Sequence, residues 1–169
     1  MADTAKHLAL GLAGEEKASR FLAGKGWRIL TRNWRPCGRE RGLELDIVAV
    51  HAGCLVFVEV KTRRVSCSVA AKENRHGVED GRPAVSARGE GALPLLVPPR
   101  EAMTLAKRKK LVRAAGRYLT AHGLWNRACR FDLVCVEEFP DGQSRLEHHS
   151  NVIEFGQVVG GGNAAWQPW

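Results

Sequence analysis

The sequence predicts a mixed α/β domain, and three features predict it. Two stretches carry apolar residues at helical spacing, several short runs alternate with a period of two, and Gly- or Pro-bearing turns separate them. The predicted order is helix, three strands, helix, then one or two strands, without internal repeats. With 169 residues and a hydrophobic fraction of 44%, the chain can bury a core without disulfides or a structural metal. One domain is expected over residues 1–155, with a flexible insertion at 65–101 and a flexible tail at 156–169.

The first element is an amphipathic helix, with Leu8, Leu12, Ala18, Phe21 and Leu22 at helical spacing and a stop at Gly24 and Gly26. WRILTRNWR reads as a strand, and PCGRERG as a polar turn. LELDIVAV and LVFVEVKT then form a hairpin, through either a two-residue turn at Ala52 and Gly53 or a four-residue loop from His51 to Cys54. Thr104 caps a second helix that ends at Gly123, with Leu105, Leu111, Val112, Ala115, Tyr118 and Leu119 facing inward and Lys107, Lys110 and Arg117 on another face. RFDLVCVEEF is a further strand, followed by a turn at Pro140, Asp141 and Gly142 and a last short strand near Val152 and Ile153.

Strand alternation puts Glu44 and Asp46 on the face of Val48 and Val50, and Leu43, Leu45, Ile47 and Ala49 on the other. Either connection gives the same register: Val50 opposes Leu55, Val48 opposes Phe57, Asp46 opposes Glu59 and Glu44 opposes Lys61. Directly opposed residues share a face, with Cβ atoms about 5 Å apart. Two opposed carboxylates repel, and a divalent cation resolves that conflict. Asp46 and Glu59 are therefore the expected metal ligands, for Mg²⁺ or Mn²⁺. Lys61 is expected to orient or activate water, and Glu44 to be a further ligand or a partner of Lys61. The alternative is a set of solvated strand residues balanced by Lys61. Glu15 falls between Leu12, Ala18 and Leu22, where a carboxylate needs a partner or an ion unless it is a boundary acid favoured by the helix dipole.

The formal charge is +8, and it is concentrated: residues 61–117 hold 14 Lys and Arg against five acids. A compact positive region suits a polyanion, and nucleic acid ranks ahead of a membrane because no basic helix with large apolar anchors accompanies it. Arg63, Arg64, Lys107, Lys110, Arg113 and Arg117 are the expected phosphate contacts, against the plain alternative of a solvated helix face. Trp166 and Trp169 could stack on bases, with a disordered tail as the alternative. Five cysteines without a CxxC pair indicate reduced, mostly buried thiols, and the start MADTAKHLALGLAGEE, which carries acids where a leader would not, leads to the expectation of a cytoplasmic setting. His148 and His149 point to opposite faces and read as ordinary polar residues. The chain has no apolar run long enough to cross a bilayer.

An acid on one strand, ExK on the next and a basic helix resemble the restriction-endonuclease-like PD-(D/E)xK superfamily. More narrowly, GLAGEEKASRFLAGKGWRILTRNWR, ELDIVAV, LVFVEVKTRR, KRKKLVRAAGRYL and CRFDLVCVE resemble the YraN-like family of uncharacterised bacterial proteins, related in fold to archaeal Holliday-junction resolvases. The resemblance implies a restriction-endonuclease-like α-β-β-β-α-β core, a mixed sheet flanked by helices. Its signature residues would be Asp46, Glu59 and Lys61, with Glu15 as a first-helix acid near the metal. Leu43 stands where the family usually has Gly, and the segment from Val65 to Pro99 is longer than usual. The expected activity is metal-dependent hydrolysis of phosphodiester bonds, in DNA ahead of RNA and with branched or single-stranded substrates as options, and a homodimer is a further option. The alternatives are a nucleic-acid-binding protein without turnover and a protein that meets an acidic partner through its basic helix.

Overall fold

The computed structural model describes residues 2–37, 42–65 and 103–153, with side chains described from Leu8 onward. Helix α1 (Ala2–Gly24) leads into strands β1 (Arg28–Trp34), β2 (Leu45–His51) and β3 (Cys54–Arg64). Helix α2 (Leu105–His122) and strands β4 (Cys129–Glu138) and β5 (Ser144–His149) follow. The strands form one mixed sheet in the order β1-β2-β3-β4-β5, antiparallel except for the β3–β4 pair. A parallel pair needs a long crossover, and α2 lies within that crossover. The expected insertion at 65–101 and the tail at 156–169 lie almost wholly outside the described residues, as do Cys67, Trp166 and Trp169.

The two helices cover opposite faces of the sheet. Ala18 and Leu22 of α1 pack on Ile47, Ala49, Val56, Val58, Val134 and Val136. Leu111, Ala114, Ala115, Tyr118 and Leu119 of α2 pack on Val48, Leu55, Phe57, Phe131, Leu133 and Cys135. Alternating strand residues thus serve both layers. Helix α1 also comes very close to β3: a Cβ on Gly14 would stand 1.8 Å from Thr62 Oγ1. Glycine is required there, and it brings the neighbouring Glu15 to the sheet.

The β2–β3 hairpin takes the shorter of the two connections. His51 pairs with Cys54, and Ala52 and Gly53 form the turn with φ of 49° and 78°. Two positive φ values match the twist of the flanking strands. Val50 opposes Leu55 and Val48 opposes Phe57, as the alternation requires.

Several expectations are corrected. The last strand is β5, upstream of Val152 and Ile153, because the turn at Pro140–Gly142 returns the chain at once. Asp141 Oδ1 accepts the Gln143 N–H at 2.9 Å, and Glu138 pairs with Ser144. Ile153 is buried in the α2 layer outside any strand. Leu8, Leu12 and Leu105 are exposed at 66, 51 and 53%, because the sheet covers only the later part of α1 and α2 contacts it from its second turn onward. Of the described cysteines only Cys135 is buried, and Cys37 is exposed.

Candidate functional site

Strand alternation fails at one place, and the acidic residues gather there. Leu43 and Leu45 join Val48 in the α2 layer, whereas Ile47 and Ala49 face α1, so Leu43 and Leu45 are not on the expected side. The β2–β3 pairing stops at Ile47 and Val58. One residue further, Asp46 Oδ2 accepts the Val60 N–H at 2.8 Å. The carboxylate takes up a donor that the separating strands would otherwise leave unpaired. Asp46 is thereby tied to β3 beside Glu59, and the two carboxyl groups are within hydrogen-bonding reach.

Glu59 follows Leu55 and Phe57 on the α2 face and is 5% exposed. Its Oε1 is 2.8 Å from Lys107 Nζ. Thr104 caps α2 by accepting the Lys107 N–H at 3.2 Å, which sets Lys107 in the first turn, above the end of the sheet. Burial foremost, then the charge of Asp46, pushes the Glu59 carboxyl up to about 7, against the pull of Lys107. Burial likewise raises Asp46, with Glu44 adding to it and the Val60 N–H and Lys107 opposing. For Lys107, burial favours the neutral form, but Glu59, Asp46 and Glu44 outweigh it and raise its pKa. Both acids therefore hold a proton more readily than a solvated carboxyl does, and both feel the Lys107 ammonium.

Glu15 completes the acidic group from the α1 side. Burial, then the charge of Asp46, raises its pKa, and a hydrogen bond from Asn33 opposes this. Asn33 has φ of 51°, a conformation Asn tolerates, at the end of β1. Glu15 Oε2 and Glu59 Oε2 are both buried with no hydrogen-bond partner. Such oxygens are costly unless a cation reaches them. A groove of about 330 Å³, lined by Leu8, Leu12, Glu15, Asn33, Arg35 and Glu44, opens beside Glu15.

Some predicted residues stand elsewhere. Glu44 is bound by Arg35 Nη2 at 2.8 and 3.0 Å, so it is not the partner of Lys61. Opposition of Glu44 to Lys61 is lost because β2 and β3 have diverged by then. Lys61 lies two residues beyond Glu59 on the same strand, exposed. Lys107 belongs to the carboxylate cluster and not to the outer helix face. The signal was in the sequence: Lys107 precedes the buried Leu111, Ala114 and Tyr118 by four, seven and eleven residues, on one helical stripe. Lys110, Arg113 and Arg117 do line the exposed face of α2. Arg63 and Arg64 stand in register with Glu137 and Glu138 of β4, and Glu138 is itself bound by Lys17 Nζ at 2.6 Å. Asn33 and Arg35 had no sequence signal, since their roles arise from β1 lying beside β2. His148 is also more than an ordinary polar residue, since its Nε2 is 2.9 Å from Asp132 Oδ2.

Among the described residues, no three His, Cys, Asp or Glu side chains converge on one ion as they stand. Mg²⁺ is commonly held by one or two carboxylates with water and phosphate oxygens completing its shell, and Asp46 and Glu59 with an unpartnered oxygen fit that donor set. No described helix is long and apolar enough to cross a membrane.

The fold and cluster define an α/β protein that keeps a buried carboxylate group where two strands of its sheet part. The chain belongs to the UPF0102 family, described as an uncharacterised protein family, whose model matches residues 14–82. A UPF0102 protein of Nitratidesulfovibrio vulgaris (strain DP4) is 39% identical over 165 residues, covering 98% of each chain. One from Lawsonia intracellularis is 34% identical over 97% of this chain and 99% of its own. One from Symbiobacterium thermophilum is 39% identical over 85% and 95%.

Proposed function

We propose that this protein is a metal-dependent nuclease that hydrolyses phosphodiester bonds in DNA. The observation that carries the proposal is the meeting of Asp46 and Glu59 at the parted strands, with Glu59 Oε2 buried and unpartnered. Asp46 and Glu59 would hold Mg²⁺ or Mn²⁺. A bound ion of this kind polarises a phosphoryl oxygen and lowers the pKa of a coordinated water.

The chain's own residues do the rest. Asp46 is fixed in position by the Val60 N–H, and Glu59 must give up its proton and its hold on Lys107 to act as a ligand. Lys107 then faces the same acids as a free ammonium, able to neutralise charge on a phosphate. Lys61, exposed on the same face of β3, orients water or meets charge developing on phosphorus. Glu15 approaches from α1, where it feels the charge of Asp46, and would help to orient water beside a bound ion. Lys110, Arg113 and Arg117 hold the backbone of the substrate.

A second reading, nucleic-acid binding without turnover, is favoured by one specific contact: Lys107 already supplies a cation to Glu59. Labelled single-stranded, duplex, flap and four-way DNA, incubated with Mg²⁺, Mn²⁺ or chelator, separates the two. Cleavage requiring metal and falling at least about a hundredfold in Asp46→Asn, Glu59→Gln and Lys61→Ala supports the nuclease. Metal-insensitive binding without cleavage supports the second reading, and cleavage that survives all three substitutions points to a contaminant.

A further inference from the structure

Near the Cys54 end of β3, on the α1 face of the sheet, a cleft of about 750 Å³ opens. Leu55 and Cys129 pair at that end, four residues along β3 from Glu59, or roughly 13 Å at the usual strand rise. The polar lining includes Lys25, His51, Arg130, His148, Ser150 and Asn151, and among the described residues no acid lines it. Every one of these side chains can donate a hydrogen bond.

The acid that organises the cleft lies beneath it. Asp132 is fully buried and accepts Arg130 Nε at 3.0 and 3.1 Å through its two oxygens. Its Oδ2 also meets His148 Nε2 at 2.9 Å, and its Oδ1 accepts the Asn151 N–H at 2.9 Å. Both carboxylate oxygens are consumed from the protein side, so Asp132 presents no free acceptor to a ligand. Trp27 braces the same groups. It stacks on His51 at 4.5 Å and 11°, meets His148 edge-on at 5.2 Å and lies under Arg130 at 5.4 Å.

Arg130 and His148 are thus held before any ligand arrives, which removes much of the side-chain ordering that binding otherwise costs. With Nε committed to Asp132, the guanidinium faces the cleft, where the Cys54 thiol is its neighbour within hydrogen-bonding reach. A planar, fixed fork in the same cleft as the Lys25 ammonium, which lies 4.2 Å over the Phe21 ring, suits a phosphate dianion. The volume accommodates a nucleotide as well as a bare phosphate.

We infer that this cleft is a phosphomonoester site, with Arg130 and His148 positioned by Asp132 and Lys25 at its rim. Its ligand is the terminal phosphate of a nucleic-acid strand or of a free nucleotide. The inference is independent of the nuclease proposal, since it uses the other face of the sheet and none of the same side chains.

The test is amide NMR titration of the full chain, with chelator present, using inorganic phosphate, a nucleoside 5′-monophosphate, and one short oligonucleotide carrying either a 5′-phosphate or a 5′-hydroxyl. The phosphorylated ligands are expected to shift the amides of Lys25, His51, His148 and Asn151 saturably. Affinity should fall at least about fivefold in Lys25→Ala, which removes an exposed side chain and its contact with the Phe21 ring, and about tenfold in Arg130→Lys, which keeps the charge facing Asp132 but loses the fork. Tighter binding of the 5′-phosphorylated oligonucleotide than of the nucleotide assigns the strand end, and the reverse assigns the nucleotide. The inference is overturned by the absence of saturable shifts at these residues, by equal binding of the 5′-hydroxyl oligonucleotide, or by wild-type affinity in Lys25→Ala.

Discussion

Glu59 and Asp132 are buried carboxylates on neighbouring strands, one register step apart, on opposite faces of one sheet. Asp132 is surrounded by donors: both oxygens are used, by Arg130, His148 and the Asn151 N–H. Glu59 has one oxygen on Lys107, a second acid beside it, and one oxygen with no partner. The contrast teaches what each is for. A carboxylate whose acceptor capacity is filled from within the chain organises its neighbours, whereas one left short, beside another acid, is open to a cation from outside.

The comparison breaks most visibly on deletion. Asp132→Ala should cost about 3–5 kcal/mol, because it leaves Arg130, His148 and a backbone N–H without their acceptor. Urea denaturation measures this, and a loss under about 1 kcal/mol would remove Asp132 from its organising role.

The next effect is one of pH. The Glu59 carboxyl titrates at about 7 in the fold against 4.5 ordinarily, so between those values the folded chain holds a proton that the unfolded chain has lost. The stability it contributes is full below 4.5 and declines as pH rises through 7, by an amount on the order of 3 kcal/mol. Glu59→Gln should therefore match wild type near pH 4.5 and exceed it at pH 7.5. Parallel stability curves for the two proteins would mean that Glu59 ionises freely in the fold.

Metal sharpens the same point. At a hundred times its Kd, Mn²⁺ should stabilise wild type by about 2.7 kcal/mol, with a matching rise in Tm, and should leave Glu59→Gln unmoved. Lys107→Ala should bind the ion more tightly, because no ammonium competes for Glu59. Weaker binding in that variant would mean that Lys107 supports the ion rather than competing with it.

A smaller effect concerns how Glu15 reaches the cluster. Gly14→Ala should cost about 1–3 kcal/mol, since its Cβ collides with Thr62, and Thr62→Ala should return part of that loss. Thermal unfolding of the single and double variants reads this out, and additive losses would exclude the contact.

Much of the cluster was legible because it is local. Val48, Val50, Leu55 and Phe57 alternate cleanly around a short turn, so the register as far as Ile47 and Val58 followed from the period. The ladder ends at that pair: Asp46 reaches β3 through the Val60 N–H instead of opposing Glu59 in register, and Glu44 is bound by Arg35. A strand pattern does not announce where a partner strand leaves, and Asp46 capping the Val60 N–H marks that departure. Lys107 was misplaced for another reason: its charge was given more weight than its position on the stripe of Leu111, Ala114 and Tyr118. Leu8 and Leu12 were the reverse case, apolar residues at helical spacing on a part of α1 that the sheet does not reach.

By itself the sequence determined the elements, the hairpin and the nearness of two acids, since side-chain period and turn chemistry act over a few residues. The tertiary structure alone decided that β4 lies parallel to β3, that Lys107 and Glu15 reach the acids from opposite faces, and that Asp132 is buried beneath Arg130 and His148. These contacts join residues far apart in the chain, and whether a charge is satisfied there depends on the partners that packing brings to it.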